Sequence, residues 1–188
     1  MAHGEMTART ARALAARPPH PRFEVLFDHG DPKPDPERVG HIASWFGDVY
    51  SAGSQLARLD IAVVDRETHR AIVLVEIEET SASPKVALGD AFGTLLGDHI
   101  TFQGTRDLIV GDFTSLLILL RDRPPGHPKK TQYLEQQIAG LAKHAQTGNS
   151  AIGHIALRLF RSEDELVGML SGFVEACLAR YMGSSRTD

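Results

Sequence analysis

Cysteine is almost missing from this chain: Cys177 stands alone among 188 residues, so no intrachain disulfide can form. That fits a reducing compartment, and a cytoplasmic location is the expectation. No apolar run approaches the roughly 20 residues needed to span a bilayer, so no membrane partner is expected. The opening residues 1–22 contain arginines but no apolar stretch, and they are not read as a secretory signal. Zinc signatures are also lacking. The nine histidines fall into no ligand spacing, and there is no second cysteine. The glycines form neither a P-loop nor a dinucleotide fingerprint, and no nucleophile-elbow sequence occurs. Net charge is −4 and the isoelectric point about 6.1. The chain therefore lacks the basic excess of a protein that coats nucleic acid through bulk charge, although a local basic groove remains compatible.

What is present is an ordinary globular composition, 42% hydrophobic and 23% charged, with enough length for one domain and a substantial core. Residues 1–22, with Arg9, Arg12, Arg17 and Arg22 beside Pro18, Pro19 and Pro21, read as a basic flexible arm. Such an arm is either a solvated tail or a contact for phosphates. Residues 23–182 form a single α/β domain, and 183–188 a tail.

Within the domain, residues 23–27 are a short strand. A helix over 35–46 is expected to bury Val39, Ile42, Trp45 and Phe46 and to end at Gly47. Residues 49–56 read as a weak polar strand, with stronger strands over 57–65 and 70–79. The short turn at 66–69 makes those two antiparallel. The continuous apolar run of the second places it centrally, buried on both faces. A helix over 84–99, a short element at 107–111, a strand over 115–121, a helix over 131–146 and a strand over 152–160 follow. A last helix opens on the capping box Ser162-Glu163-Asp164-Glu165.

The chemistry lies in the acids. Glu76 and Glu78 interrupt the most hydrophobic strand, and alternation points both to one face with Ile77 on the other. Residues so spaced are about 7 Å apart at Cα and can converge on an ion. Asp60 sits on the preceding strand between Leu59 and Ile61. Carboxylates held together in apolar surroundings take up a proton or a cation. Hard oxygen ligands favour Mg²⁺ or Mn²⁺. Other candidates have plainer readings. Asp65 and Glu79, at strand ends, are expected to face solvent. Glu37 is a favourable acid in a helix first turn or an extra carboxylate near the metal. Asp90 lies either behind the acids or on the surface. Trp45 is core. Arg121, Arg123, His127, Lys129 and Lys130 form a basic cluster, either a phosphate-backbone contact or a solubilising loop.

The order of elements, a helix, a strand, an Asp-bearing strand, a Glu-x-Glu strand, a helix and a further strand, resembles the core of the PD-(D/E)xK nuclease superfamily over residues 35–121. The resemblance implies a three-layer, restriction-endonuclease-like α/β core. Its central mixed sheet is flanked by helices, with a C-terminal helix–strand–helix addition. It implies that Asp60 and Glu76 bind Mg²⁺ or Mn²⁺. Glu78 stands where that superfamily usually has lysine, and it either handles the attacking water or ligates an ion. Lys85, at the start of the following helix, is either a migrated motif lysine or a solvated first-turn side chain. The implied activity is metal-dependent hydrolysis of phosphodiesters, DNA ahead of RNA, with Arg121, Arg123, Lys129 and Lys130 on the nucleic acid. A homodimer is compatible with cutting both strands. Two alternatives stay open. One is a nuclease-like binding or assembly module without catalysis. The other is an unrelated α/β domain in which the acids are ion-paired with Arg58, Arg70 or Lys85.

Overall fold

The computed structural model describes residues 4–16, 18, 20–47, 50–79, 84–97, 99–122, 133–134, 136–141, 143 and 152–184, the side chains of 84, 85 and 87 excepted. In chain order its elements are α1 (Glu5–Ala16), β1 (Phe23–Phe27), β2 (Ile42–Trp45), β3 (Gln55–Leu59), β4 (Ile61–Asp65), β5 (Ala71–Glu78), α2 (Pro84–Leu96), β6 (His99–Phe102), β7 (Arg106–Leu108), β8 (Ser115–Arg121), β9 (His154–Phe160) and α3 (Glu163–Ser184). Residues 133–134 and 136–141 are also helical. Among the described residues no helix is long and apolar enough to cross a membrane.

The strands form two sheets. One has five strands in the order β1-β4-β5-β8-β9, and the other four in the order β3-β2-β6-β7. In the first, β4 runs antiparallel to both its neighbours, β1 and β5, the latter as the short turn before β5 requires. β8 and β9 then run parallel to β5. The second sheet is antiparallel throughout. β5 reads as an unbroken apolar run because both its faces are covered. Val73, Val75 and Ile77 face a core shared with α1 and α3. Leu74 faces a second core shared with α2, the four-stranded sheet and the helical residues Leu134 and Ile138.

Three expectations are corrected here. Residues 35–46 are not a helix. Ile42–Trp45 is strand β2, hydrogen-bonded on both sides to β3 and β6. All four of its residues are buried, so alternation leaves no polar mark and the spacing mimics a helix. Trp45 is indeed core, with Nε1–H donating to Thr101 Oγ1 at 2.8 Å, whereas Phe46 is exposed. Residues 57–65 are not one strand: the chain leaves the four-stranded sheet at Leu59 and enters the five-stranded one at Ile61, with Asp60 at the crossing.

The third correction concerns the arm. Glu5–Ala16 is a helix whose Met6, Ala8, Ala11 and Leu14 are buried, Met6, Ala11 and Leu14 in the core beneath β1 and α3. Its first turn is held by Glu79, which is buried rather than solvent-facing. Glu79 Oε1 accepts both the Thr7 amide and the Thr7 hydroxyl at 2.6 Å. A carboxylate there satisfies an amide that no helical carbonyl reaches and complements the helix dipole. Arg9 adds an exposed bidentate contact to Glu163 on α3. Glu79→Ala should therefore cost roughly 1–3 kcal/mol, by stranding the buried Thr7 donors. Amide hydrogen exchange should localise the loss to α1. Unchanged protection of residues 5–16 in that variant would contradict the clasp.

Candidate functional site

The acids collect where β1 and β5 end and β4 begins. Alternation puts Glu76 and Glu78 on the same face as Leu74, towards α2. Asp60 is placed by its backbone. Its amide donates to Val75 O at 3.0 Å, and its carbonyl accepts the Asp28 amide at 2.9 Å. This crossing point therefore ties β5 and the end of β1 to one residue. α2 comes close to β3 at Gly93, where an added Cβ would lie 2.5 Å from the Leu56 carbonyl oxygen. That approach carries Asp90 to the same cluster.

Asp60 is buried and both its oxygens are occupied. Oδ1 accepts from His29 Nε2 at 2.7 Å, and Oδ2 accepts the Ile77 amide at 2.6 Å. Burial raises the Asp60 carboxyl above its ordinary range, although the bond and charge of His29 and the Ile77 amide pull the other way. The His29 imidazole is raised by its bond to Asp60, against its own burial, with Asp28 and Glu79 adding in the same direction. The ring fits because Gly4, at φ +80°, has no side chain: a Cβ there would stand 2.7 Å from Nδ1. Asp28, next to His29, contacts His41 Nδ1 at 3.4 Å.

Glu76 is different. Its Oε2 is enclosed and has no hydrogen-bond partner among the described residues. Burial pushes its carboxyl well above the ordinary range, and the charges of Asp60, Asp90, Glu78 and Asp28 push the same way. Asp90 is raised too, by burial and then by Asp60 and Glu78. Like-charge repulsion thus falls chiefly on Glu76, because His29 relieves Asp60.

Among the described residues no three His, Cys, Asp or Glu side chains already form a group able to hold a metal ion. Asp60 is directed at His29 and the β5 backbone. The donor set nonetheless suits a hard divalent cation. It offers an enclosed carboxylate oxygen without a partner and further carboxylates close enough to raise it. Each Asp60 oxygen also keeps a second lone pair.

Of the expected residues, Asp60, Glu76 and Glu78 come together. Lys85 lies in the first turn of α2, its side chain outside the described residues. Arg123, His127, Lys129 and Lys130 also lie outside them. Arg121 ends β8, where alternation with Leu117 and Leu119 turns it to the α1/α3 face, away from Glu76 and Glu78. Glu37 is exposed in a turn. Asp60 pairs with His29 rather than with Arg58 or Arg70, and Arg70 lies over the Phe113 ring. Asp90, open between a place behind the acids and the surface, joins the cluster, and His29 is the addition. His29 follows a strand that ends in Asp-His-Gly, a pattern equally typical of a turn, so only its contact with Asp60 singles it out.

Asp65 is also corrected: it is fully buried, not solvent-facing. Its Oδ2 accepts from Arg22, in a contact of 2.5 Å, and from the Tyr181 hydroxyl at 3.0 Å. Burial alone would raise this carboxyl, but the bonds from Arg22, the Glu67 amide and Tyr181 outweigh it and hold it well below the ordinary range. It is a structural ion pair, remote in role from the acid cluster. No protein-family model, curated protein or solved structure matches the chain.

Proposed function

We propose that the chain is a metal-dependent phosphodiesterase acting on nucleic acid, DNA ahead of RNA, and a divergent relative of the PD-(D/E)xK nucleases. The observation that carries this reading is the enclosed Glu76 Oε2 beside Asp60, without a hydrogen-bond partner among the described residues. Supporting it is the chain order β4, β5, α2, β8: a strand entered from Asp60, an antiparallel Glu-x-Glu strand, a helix, and a strand parallel to the second. Those are the last four elements of the order the resemblance implies; its first helix, over 35–46, is absent, and β2–β3 and β6–β7 would be insertions. β9 and α3 would be part of the C-terminal addition.

On this reading Asp60 and Glu76 hold Mg²⁺ or Mn²⁺, and His29 orients the Asp60 carboxylate through its 2.7 Å contact. The ion, when bound, supplies Lewis-acid assistance to phosphodiester hydrolysis. Glu78 orients or deprotonates the attacking water. Lys85 is the alternative for that role, and Asp90 tunes the cluster's charge from α2. Arg123, Lys129 and Lys130 remain the proposed phosphate contacts, while Arg121, on the opposite face of β8, is dropped from that set.

A second reading, a binding or assembly module on the same fold, is favoured by the His29 contact that occupies Asp60 Oδ1. One assay separates the two. Wild type is expected to cut single-stranded, double-stranded or branched DNA, or RNA, in Mg²⁺ or Mn²⁺. Asp60→Ala should abolish cutting, and His29→Ala should weaken metal affinity by about 10–100-fold, as loss of an orienting partner does. Glu78→Ala should cripple the rate with metal binding largely kept. Lys85→Ala should match wild type if Glu78 has that role. Absence of cleavage by wild type, or full activity in Asp60→Ala, would assign the chain to the module reading.

A further inference from the structure

At the opposite end of the five-stranded sheet from the acids, the loops before β5 and β8 and the last turns of α3 surround a cavity of about 340 Å³. Arg70 and Arg180 both line it. The Arg70 guanidinium lies 4.9 Å from the centroid of the Phe113 ring, and among the described residues Arg180 donates only to Cys177 Sγ, at 3.6 Å. Among the described residues neither arginine forms an ion pair. Asp112 also lines the cavity, so its formal charge is one positive. The aromatic wall is Phe113 against Tyr181, ring centroids 5.9 Å apart, and the Tyr181 hydroxyl is committed to Asp65.

We propose that this cavity binds a small organic anion. A carboxylate or phosphate head would lie between Arg70 and Arg180, and an aromatic or apolar body against Phe113 and Tyr181. Guanidinium forks match both oxyanions in geometry and charge. The volume falls in the range of small-molecule sites, about 300–1,000 Å³. The site is separate from the acid cluster and does not depend on the nuclease reading.

Calorimetric titration of the full chain tests it, with benzoate, a nucleoside monophosphate and inorganic phosphate as probes and neutral benzamide as control. At least one organic anion should bind with a Kd below millimolar, at least tenfold tighter than inorganic phosphate or benzamide. The stronger of benzoate and the nucleotide identifies the head group. Arg70→Gln and Arg180→Gln should each weaken binding at least tenfold. Asp112→Asn, which removes the cavity's own carboxylate and no cationic contact, should tighten it. Glu76→Gln should leave it unchanged. The proposal is overturned if neither organic anion binds, if benzamide binds equally, or if folded Arg70→Gln and Arg180→Gln bind as wild type. It is equally overturned if Asp112→Asn weakens binding.

Discussion

Glu76→Gln is expected to stabilise the metal-free protein at pH 7.5 and to abolish metal-dependent cleavage. Glu76 Oε2 is enclosed without a partner among the described residues, and burial and four neighbouring carboxylates oppose its charge. A glutamine is neutral there, and its amide can donate to those carboxylates. The melting temperature should rise by at least about 2–4 °C, the shift that roughly 1 kcal/mol produces in a chain of this size. Cleavage should fall by more than about 100-fold, beyond the loss typical of an outer partner. The pH dependence follows from the sign of the shifts. Glu76 is raised above its unfolded value of about 4.3. Between the two values the folded state holds a proton that the unfolded state has lost, so stability falls as pH rises through that window. His29, raised above about 6.5, contributes stability that is complete below that value and fades as pH climbs through its folded value. Metal-free wild type should thus lose stability from mildly acid to mildly alkaline pH, and Glu76→Gln should flatten the lower part of that slope. Thermal melts across pH 4.5–8.5 in chelator check it. A variant less stable than wild type at pH 7.5 would show Glu76 to be structurally paired instead.

Asp65→Asn should be the most damaging single change to the fold, at about 3–5 kcal/mol, the cost of breaking a buried pair by removing one partner. Asp65 joins Arg22, the turn before β5 and Tyr181 on α3, so its loss loosens three segments at once. Its carboxyl is held low, so the sign is opposite to that of Glu76. Its contribution is complete above the unfolded value of about 3.9 and is lost as pH falls through the folded one. Chemical denaturation at pH 7 should show the full loss, narrowing as pH drops below about 4. Equal stability of variant and wild type at pH 7 would remove Asp65 from the structural core.

Elements with a single dominant signal were legible in the sequence. β5 and β8 are continuous apolar runs in the middle of a sheet, α3 opens on its capping box, and Pro84 marks the start of α2. The shared face of Glu76 and Glu78 followed from strand alternation alone. What was hidden depends on distant partners. β2 is a strand because β3 and β6 bracket it, which four buried residues cannot announce. α1 looked like a basic arm because its arginines are conspicuous, while its buried face is mostly small residues, Ala8 and Ala11 between Met6 and Leu14. Asp65 and Glu79 looked like solvent-facing strand ends because Arg22, Tyr181 and Thr7 meet them only after folding. The break at Asp60 was invisible for the same reason: both sides of it are equally apolar, and only two separate sheets divide them.

The central claim is that Asp60 and Glu76 together hold a divalent cation. Titrating Mn²⁺ into the metal-free protein at pH 7.5, with calorimetry in two buffers of different ionisation heat, addresses it most directly. The account predicts saturable binding with proton release, because the raised Glu76 carboxyl must give up its proton share to become a ligand. Asp60→Asn and Glu76→Gln should each remove the binding while remaining folded. No heat at millimolar Mn²⁺ from wild type, or undiminished binding by Glu76→Gln, would contradict it.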